Sequence, residues 1–135
     1  MTIRILIADD HEIIRSGIRH TLEDDKEVEI VAEACDGEDA IRKTQELRPD
    51  LIIMDLSMPL LDGLSAAGWI KRNFPCTLII MFSMHRFQPL IDAAKGLGLN
   101  GFVTKGEDGP ALLKAVDAVT HHQSYFPDIP SPSPC

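Results

Sequence analysis

The sequence predicts an α/β fold: a doubly wound, five-stranded parallel sheet with helices on both faces. Three observations lead there. Short apolar runs alternate with longer amphipathic stretches along the 135 residues, the pattern of repeated βα units. Three of the short runs are nearly continuous in apolar residues, as strands covered on both faces must be. Carboxylates, Asp9 and Asp10 in one case and Asp55 in the other, close two of these runs, where open parallel sheets place their chemistry.

The elements follow in order. Strand 3–8 reads Ile-Arg-Ile-Leu-Ile-Ala and ends at Asp9-Asp10. Helix 12–24 carries Ile14, Ile18 and Leu22 at i, i+4 and i+8, a single apolar stripe. Strand 28–34 leads to helix 37–47, where Ala40, Ile41, Thr44 and Leu47 repeat the stripe and Asp36 can cap the first turn. Strand 50–54 holds Leu51-Ile52-Ile53-Met54 and delivers Asp55 to the loop Leu-Ser-Met-Pro-Leu-Leu-Asp-Gly, whose Asp62 can cap helix 63–74. In that helix Leu64, Ala67 and Ile70 form the inward stripe, so Gly68 and Trp69 are expected outside it or at its margin. The Trp69 ring then either lies across the helix or anchors a partner.

Strand 77–83 runs Leu78-Ile79-Ile80-Met81-Phe82 and ends at Ser83. Helix 86–97 tolerates Pro89 near its first turn, and Gly96 costs about 1 kcal/mol relative to alanine if it is helical. The run Gly96-Leu97-Gly98 reads either as a weak last turn, and so a low-stability element, or as ordinary helix termination. Strand 100–104 contains Phe102-Val103-Thr104 and is followed by Lys105. Pro110 opens helix 110–122, and His121-His122 suit the negative end of that helix dipole.

One domain of this length can build a single core. Residues 1–124 are assigned to it, and 125–135, where proline alternates through Pro-Asp-Ile-Pro-Ser-Pro-Ser-Pro, are assigned to a tail or the start of a linker. The net charge of -8 counts against nonspecific binding to nucleic-acid phosphates. Part of it lies on surfaces such as Glu23-Asp24-Asp25. The odd set Cys35, Cys76 and Cys135 indicates neither a disulfide framework nor a zinc site. Cys35 and Cys76 read as small core residues. No run approaches membrane-spanning length and no signal peptide is evident, which suggests a reducing, cytoplasmic setting.

If the first and third strands are neighbours, as in the flavodoxin-like order 2-1-3-4-5, Asp9, Asp10 and Asp55 share one crevice. Two carboxylates about 5 Å apart repel by roughly 3 kcal/mol at an effective dielectric of about 20. Such a cluster takes up protons or a cation, and all-oxygen ligands suit Mg²⁺ or Mn²⁺. Ser83 and Lys105, also at strand ends, add a hydroxyl donor and an ammonium for phosphoryl oxygens.

Asp9-Asp10-His11, Met54-Asp55-Leu56-Ser57-Met58-Pro59 with Asp62-Gly63, Ser83-Met84-His85 and Gly101-Phe102-Val103-Thr104-Lys105 together resemble the receiver domain of bacterial response regulators, in its NarL/LuxR version, over roughly residues 3–127. The resemblance implies a phosphorylation switch. Asp55 would accept a phosphoryl group from a sensor histidine kinase. Asp10, Asp55 and the Ser57 carbonyl would bind Mg²⁺ directly, with Asp9 acting through water. Lys105 would pair with the phosphoryl group, Ser83 would turn inward to it and Phe102 would change rotamer. The surface of the fourth helix, fifth strand and fifth helix would read the state. His85 and Phe87 depart from the usual pattern near the pocket and would alter dephosphorylation.

Such a domain catalyses only its own phosphorylation and hydrolysis and is not a turnover enzyme. It is expected to belong to the N-terminal part of a LuxR-type transcription regulator, with a complete single-domain regulator acting through protein contacts as the alternative. Homodimerisation on phosphorylation is implied, and no nucleic acid is expected on this segment itself. An aspartyl-phosphate phosphatase is a rival, but position 57 is Ser rather than the second acid that chemistry wants. A binding-only pseudo-receiver is the other rival, against which the acids, Ser83 and Lys105 argue.

Overall fold

The computed structural model describes residues 2–56, 58, 61–84, 87–105 and 109–127. Strands β1 (Ile3–Ala8), β2 (Val28–Ala34), β3 (Leu51–Asp55), β4 (Leu78–Ser83) and β5 (Gly101–Thr104) alternate with helices α1 (Glu12–Leu22), α2 (Gly37–Leu47), α3 (Gly63–Asn73), α4 (Gln88–Gly96) and α5 (Gly109–Thr120). The strands form one sheet in the order β2-β1-β3-β4-β5, parallel throughout. This is the expected architecture.

The period of two in the strands feeds two cores. Leu6, Ile52, Met54, Ile79, Met81 and Phe102 point to one face, under Ala40 of α2, Ala66, Ala67 and Ile70 of α3, and Ile91 and Ala94 of α4. Ile5, Ile7, Leu51, Ile53, Ile80 and Val103 point to the other, under Ile18 and Leu22 of α1 and Leu112, Ala115, Val116 and Val119 of α5. Every residue of β3 is buried, which explains its unbroken apolar run before Asp55. Each fully buried Ile or Leu contributes about 1.5–3 kcal/mol of transfer free energy.

The helix ends show why the boundaries fall where they do. Asp36 accepts from Asp39 N at 2.7 Å and Asp62 from Ser65 N at 2.8 Å, as expected of both caps. α1 stops at Leu22, two residues before its expected end. α4 ends in a Schellman motif: Gly98 has φ of 81°, Gly98 N donates to Lys95 O and Leu99 N to Ala94 O, both at 3.0 Å. The Gly96-Leu97-Gly98 run is therefore ordinary termination. At the end of α5, His121 Nδ1 lies 2.6 Å from Asp117 O, within reach of a last-turn carbonyl.

Two expectations are corrected. Cys35 and Cys76 are both exposed. Each sits in a loop, Cys35 just past β2 and Cys76 just before β4, and adjacency to an apolar run is not membership of it. Gly68 is buried in α3, where a β-carbon would lie 3.4 Å from Leu97 Cδ2, so the inward stripe is wider than Leu64, Ala67 and Ile70. Trp69 sits at the margin of the core, tilted against Phe74 with ring centroids 6.1 Å apart.

The chain after α5 returns to the sheet. Tyr125 bridges Gly101 in parallel on the outer edge of β5, with Tyr125 N donating to Asn100 O at 3.0 Å and Phe102 N to Tyr125 O at 2.8 Å. Ordered packing thus continues past residue 124. Ser57, His85 and the segment 128–135 lie outside the described residues.

Candidate functional site

Register places the acids. Ala8 of β1 pairs with Met54 of β3, so the next residues, Asp9 and Asp55, leave the sheet side by side at its carboxyl edge. Asp9 is held there by its own N–H, which donates to Ala34 O of β2 at 3.0 Å. Asp9 and Asp55 are 1% and 4% exposed, whereas Asp10 is exposed. Ligand atoms from Asp9, Asp10, His11 and Asp55 all lie within 4.8 Å of one another. The three acids expected to meet do meet.

Lys105 enters from the far side. It follows β5, and its backbone N–H donates to Ser83 O at 2.5 Å, continuing the β4–β5 pairing in which Ser83 faces Thr104. Its ammonium lies 2.8 Å from Asp9 Oδ2 and 3.0 Å from Asp55 Oδ1, with the Lys105 side chain only 9% exposed. Burial alone would lower the lysine pKa, but the hydrogen bonds and charges of Asp9 and Asp55 outweigh it and raise the pKa above its ordinary value. The ammonium therefore offsets carboxylate repulsion. Its approach to the Phe82 ring, 5.7 Å to the centroid, adds a weak cation–π contact.

Ser83 closes β4 and is buried in the same edge of the sheet. Phe102 is 1% exposed, within the core shared with α3 and α4. Gly63 N donates to Leu56 O at 2.9 Å, which ties the start of α3 to the end of β3. A β-carbon at Gly63 would overlap the carbonyl oxygen of Asp55, which is why the residue after the Asp62 cap is glycine. Met84 and Phe87, both largely exposed, follow Ser83 along the chain.

Two neighbours of the acids were not assigned a role from sequence. His11 N donates to Asp9 Oδ1 at 2.9 Å, and its ring Nδ1 lies 3.2 Å from Asp9 Oδ1 and 2.9 Å from Asp10 Oδ1. Arg15 donates from a guanidinium nitrogen to Asp9 O at 2.6 Å and from Nε to Glu33 at 3.0 Å. The position of His11 directly after two acids was the available signal. Arg15 gave none, because its partner on β2 is set by tertiary pairing.

A buried carboxylate pair, a third acid and an ammonium meet at one sheet edge, where open α/β sheets hold their chemistry. The donor set is rich in carboxylate oxygen, which fits a hard divalent cation. The family described as "Response regulator receiver domain" matches residues 5–117, and the chain belongs to that family. It is similar to the response regulator UvrY of Escherichia coli K12, 37% identical over 124 residues that make up 92% of this chain and 57% of that protein. It is similar also to the response regulator protein VraR of Staphylococcus aureus, 34% identical over 93% of this chain and 60% of that one. The chain thus spans little more than half of these curated relatives.

Among solved structures, it resembles the isolated receiver domain of RcsB from Salmonella enterica serovar Typhimurium, solved in the presence of a phosphomimetic, with TM-score 0.88, 33% identity and 95% of each chain covered. A LuxR-family two-component response regulator from Aurantimonas gives TM-score 0.88 and 34% identity, over 93% of this chain and 89% of that one. The chain is a receiver domain of the NarL/LuxR type. Among the described residues no helix is long and apolar enough to cross a membrane.

Proposed function

We propose that Asp55 is the phosphoacceptor of a two-component signalling system. A carboxylate oxygen of Asp55 attacks the phosphorus of a phosphohistidine on a sensor kinase. The P–N bond breaks, the imidazole leaves and takes a proton from solvent, and an acyl phosphate remains on Asp55. Asp10, Asp55 and the Ser57 carbonyl would hold Mg²⁺ directly, with Asp9 acting through water and Mn²⁺ as the alternative cation. A bound divalent cation supplies charge neutralisation to the transferring phosphoryl group. Lys105 exchanges its contact with Asp55 for the phosphoryl oxygens, Ser83 donates its hydroxyl to them, and Phe102 repacks with Ser83.

The observation that carries this reading is the Lys105 ammonium seated between Asp9 and Asp55. It holds the attacking carboxylate in place before reaction and is already within reach of the charge that will develop. The chemistry is a single self-modification followed by hydrolysis, not turnover of a diffusing substrate. The domain comprises residues 1–124 together with the β5-bound segment through Pro127. Its output is proposed to be homodimerisation through the α4–β5–α5 face in the cytoplasm. The name of a further relative, transcriptional regulatory protein DegU of Brevibacillus brevis, of which the chain spans 52%, supports gene regulation as the output of the whole protein.

Incubation with Mg²⁺ and acetyl phosphate, read by intact mass, tests the proposal. A single phosphate adduct on the parent chain, absent in Asp55→Asn, is expected. Rapid multiple turnover of acetyl phosphate favours a phosphatase instead, and no adduct on the parent chain favours a binding-only domain.

A further inference from the structure

We infer that Thr104 is a positioning residue of the switch, whose buried hydroxyl donates to Ser83 Oγ once Ser83 has turned to the phosphoryl group. The inference rests on reading Asp55 as the phosphoacceptor, with Ser83 and Phe102 moving in response. It goes beyond that reading by assigning a further residue, and one hydrogen bond, to the modified state.

Thr104 Oγ1 is sealed from solvent and has no hydrogen-bond partner among the described residues, although the residue as a whole is only half-buried. A hydroxyl holds one hydrogen and two acceptor sites, and leaving it unpaired away from water costs stability. Threonines in the helices avoid that cost. Thr21, Thr44 and Thr120 donate to the carbonyl four residues earlier, at 2.9, 2.7 and 2.8 Å. A strand offers no such carbonyl, because its own backbone groups serve the neighbouring strands. The Thr104 hydroxyl therefore needs a partner from another element.

Register names that partner. Thr104 pairs with Ser83 across the β4–β5 ladder, one step beyond the pair Met81 and Phe102. Met81 and Phe102 both face the core under α3 and α4. Side chains two residues apart on a strand share a face, so Ser83 and Thr104 lie side by side on that face, on strands about 4.8 Å apart. The backbone N–H of Lys105 holds Ser83 O at 2.5 Å, which keeps the two strands in register while the Ser83 side chain turns. Once the Ser83 hydrogen goes to a phosphoryl oxygen, a lone pair on Ser83 Oγ accepts the Thr104 hydrogen. The run from Thr104 through Ser83 to the phosphoryl group polarises each link and makes Ser83 the stronger donor. Phosphorylation thus satisfies an atom that is orphaned beforehand, and this biases the switch toward the modified arrangement.

Calorimetric titration with beryllofluoride at saturating Mg²⁺ tests the assignment on the parent chain, Thr104→Val and Thr104→Ser. Beryllofluoride on a carboxylate is a tetrahedral stand-in for the phosphoryl group. Valine keeps the branched shape without the hydroxyl, and serine keeps the hydroxyl. Urea midpoints of the three proteins are measured without Mg²⁺ or beryllofluoride. Thr104→Val is expected to bind beryllofluoride about threefold to tenfold more weakly than the parent, with a urea midpoint equal to or above the parent's. Thr104→Ser is expected to bind within about twofold of the parent. Unchanged affinity in Thr104→Val overturns the inference, because the hydroxyl then gains no bond in the modified state. A lowered midpoint in Thr104→Val also overturns it, because the hydroxyl then already has a partner such as a buried water. Equal weakening in both variants assigns the loss to packing and overturns it as well. The Mg²⁺-supported acetyl phosphate adduct of the parent is measured alongside. Its absence would sink the receiver reading, whereas an adduct together with unchanged Thr104→Val affinity would sink the Thr104 assignment alone.

Discussion

Gly63 stands against the main-chain carbonyl of Asp55, so close that a β-carbon at position 63 would overlap the oxygen. The first residue of α3 therefore fixes the backbone of the proposed phosphoacceptor. Its N–H, bonded to Leu56 O at 2.9 Å, closes the same turn. Gly63→Ala forces either the strand end or the helix start to move, and overpacking of this kind costs about 1–3 kcal/mol. Urea unfolding should show that loss, with slower adduct formation from acetyl phosphate. A variant matching the parent in both would mean that the loop yields freely and does not position Asp55.

Lys105 makes a second dependence measurable. Its ammonium bridges Asp9 and Asp55, whose side chains are 1% and 5% exposed. Taking away one partner of a buried ion group costs about 3–5 kcal/mol, because the remaining charges are left uncompensated. Lys105→Met should show this loss without divalent cation, and saturating Mg²⁺ should restore more stability to the variant than it adds to the parent. Thermal unfolding with and without Mg²⁺ gives the comparison. An equal Mg²⁺ increment in the two proteins would mean that lysine and cation do not share these carboxylates.

Much of this site is readable from residue order because parallel sheets put strand ends to consistent use. An apolar run that stops at Asp55, and another that stops at Asp9-Asp10, suffice to place three acids together once β1 and β3 are neighbours. Ser83 and Lys105 follow by the same logic. What escapes is decided by tertiary contact. Gly68 is buried because Leu97 lies over it, a fact that no spacing within α3 contains. Cys35 borders an apolar run yet faces solvent, because one step past a strand reverses the side-chain direction or leaves the sheet. The strand-end position of Lys105 was legible, but its double pairing with Asp9 and Asp55 is decided by tertiary contact. Tyr125 looked like the beginning of a proline-rich tail, and only the free edge of β5 explains its placement.

Glu33 on β2 ties the sheet to α1. It accepts from Arg15 Nε and Arg19 Nε, each at 3.0 Å, and from a terminal guanidinium nitrogen of Arg19 at 2.6 Å. Burial raises its pKa, but the hydrogen bonds and charges of Arg19 and Arg15 outweigh that and lower it below the ordinary carboxylate value. A depressed folded pKa stabilises the fold above the unfolded value, about 4.3, and that contribution is lost as pH falls through the folded pKa. Glu33→Gln should be less stable than the parent by about 0.5–1 kcal/mol at neutral pH, with the gap closing in acid. Urea midpoints at neutral pH and near pH 3 would show it. A gap that stays constant over this range would assign the loss to packing rather than charge.

Truncation after Ser124 tests whether the returning chain belongs to the folded unit. Tyr125 supplies β5 with an outer neighbour through its N–H to Asn100 O and its carbonyl to Phe102 N–H, and its side chain packs on the α5 side of the sheet. Phe126 covers the α4 side, with Lys95 Nζ 5.2 Å from its ring centroid. Without these residues the outer edge of β5 opens to water. Two hydrogen bonds at about 1 kcal/mol each, together with lost apolar contact, set the scale of the expected destabilisation at roughly 2–4 kcal/mol. Hydrogen exchange gives the sharper readout, because Phe102 N–H has its partner on Tyr125 and should lose protection while Val103 N–H, inside the β4–β5 ladder, keeps more of its own. Equal protection of Phe102 in the full and shortened chains would show that the segment rests on the sheet without securing it. It would also place the folded boundary before Tyr125 rather than after Pro127.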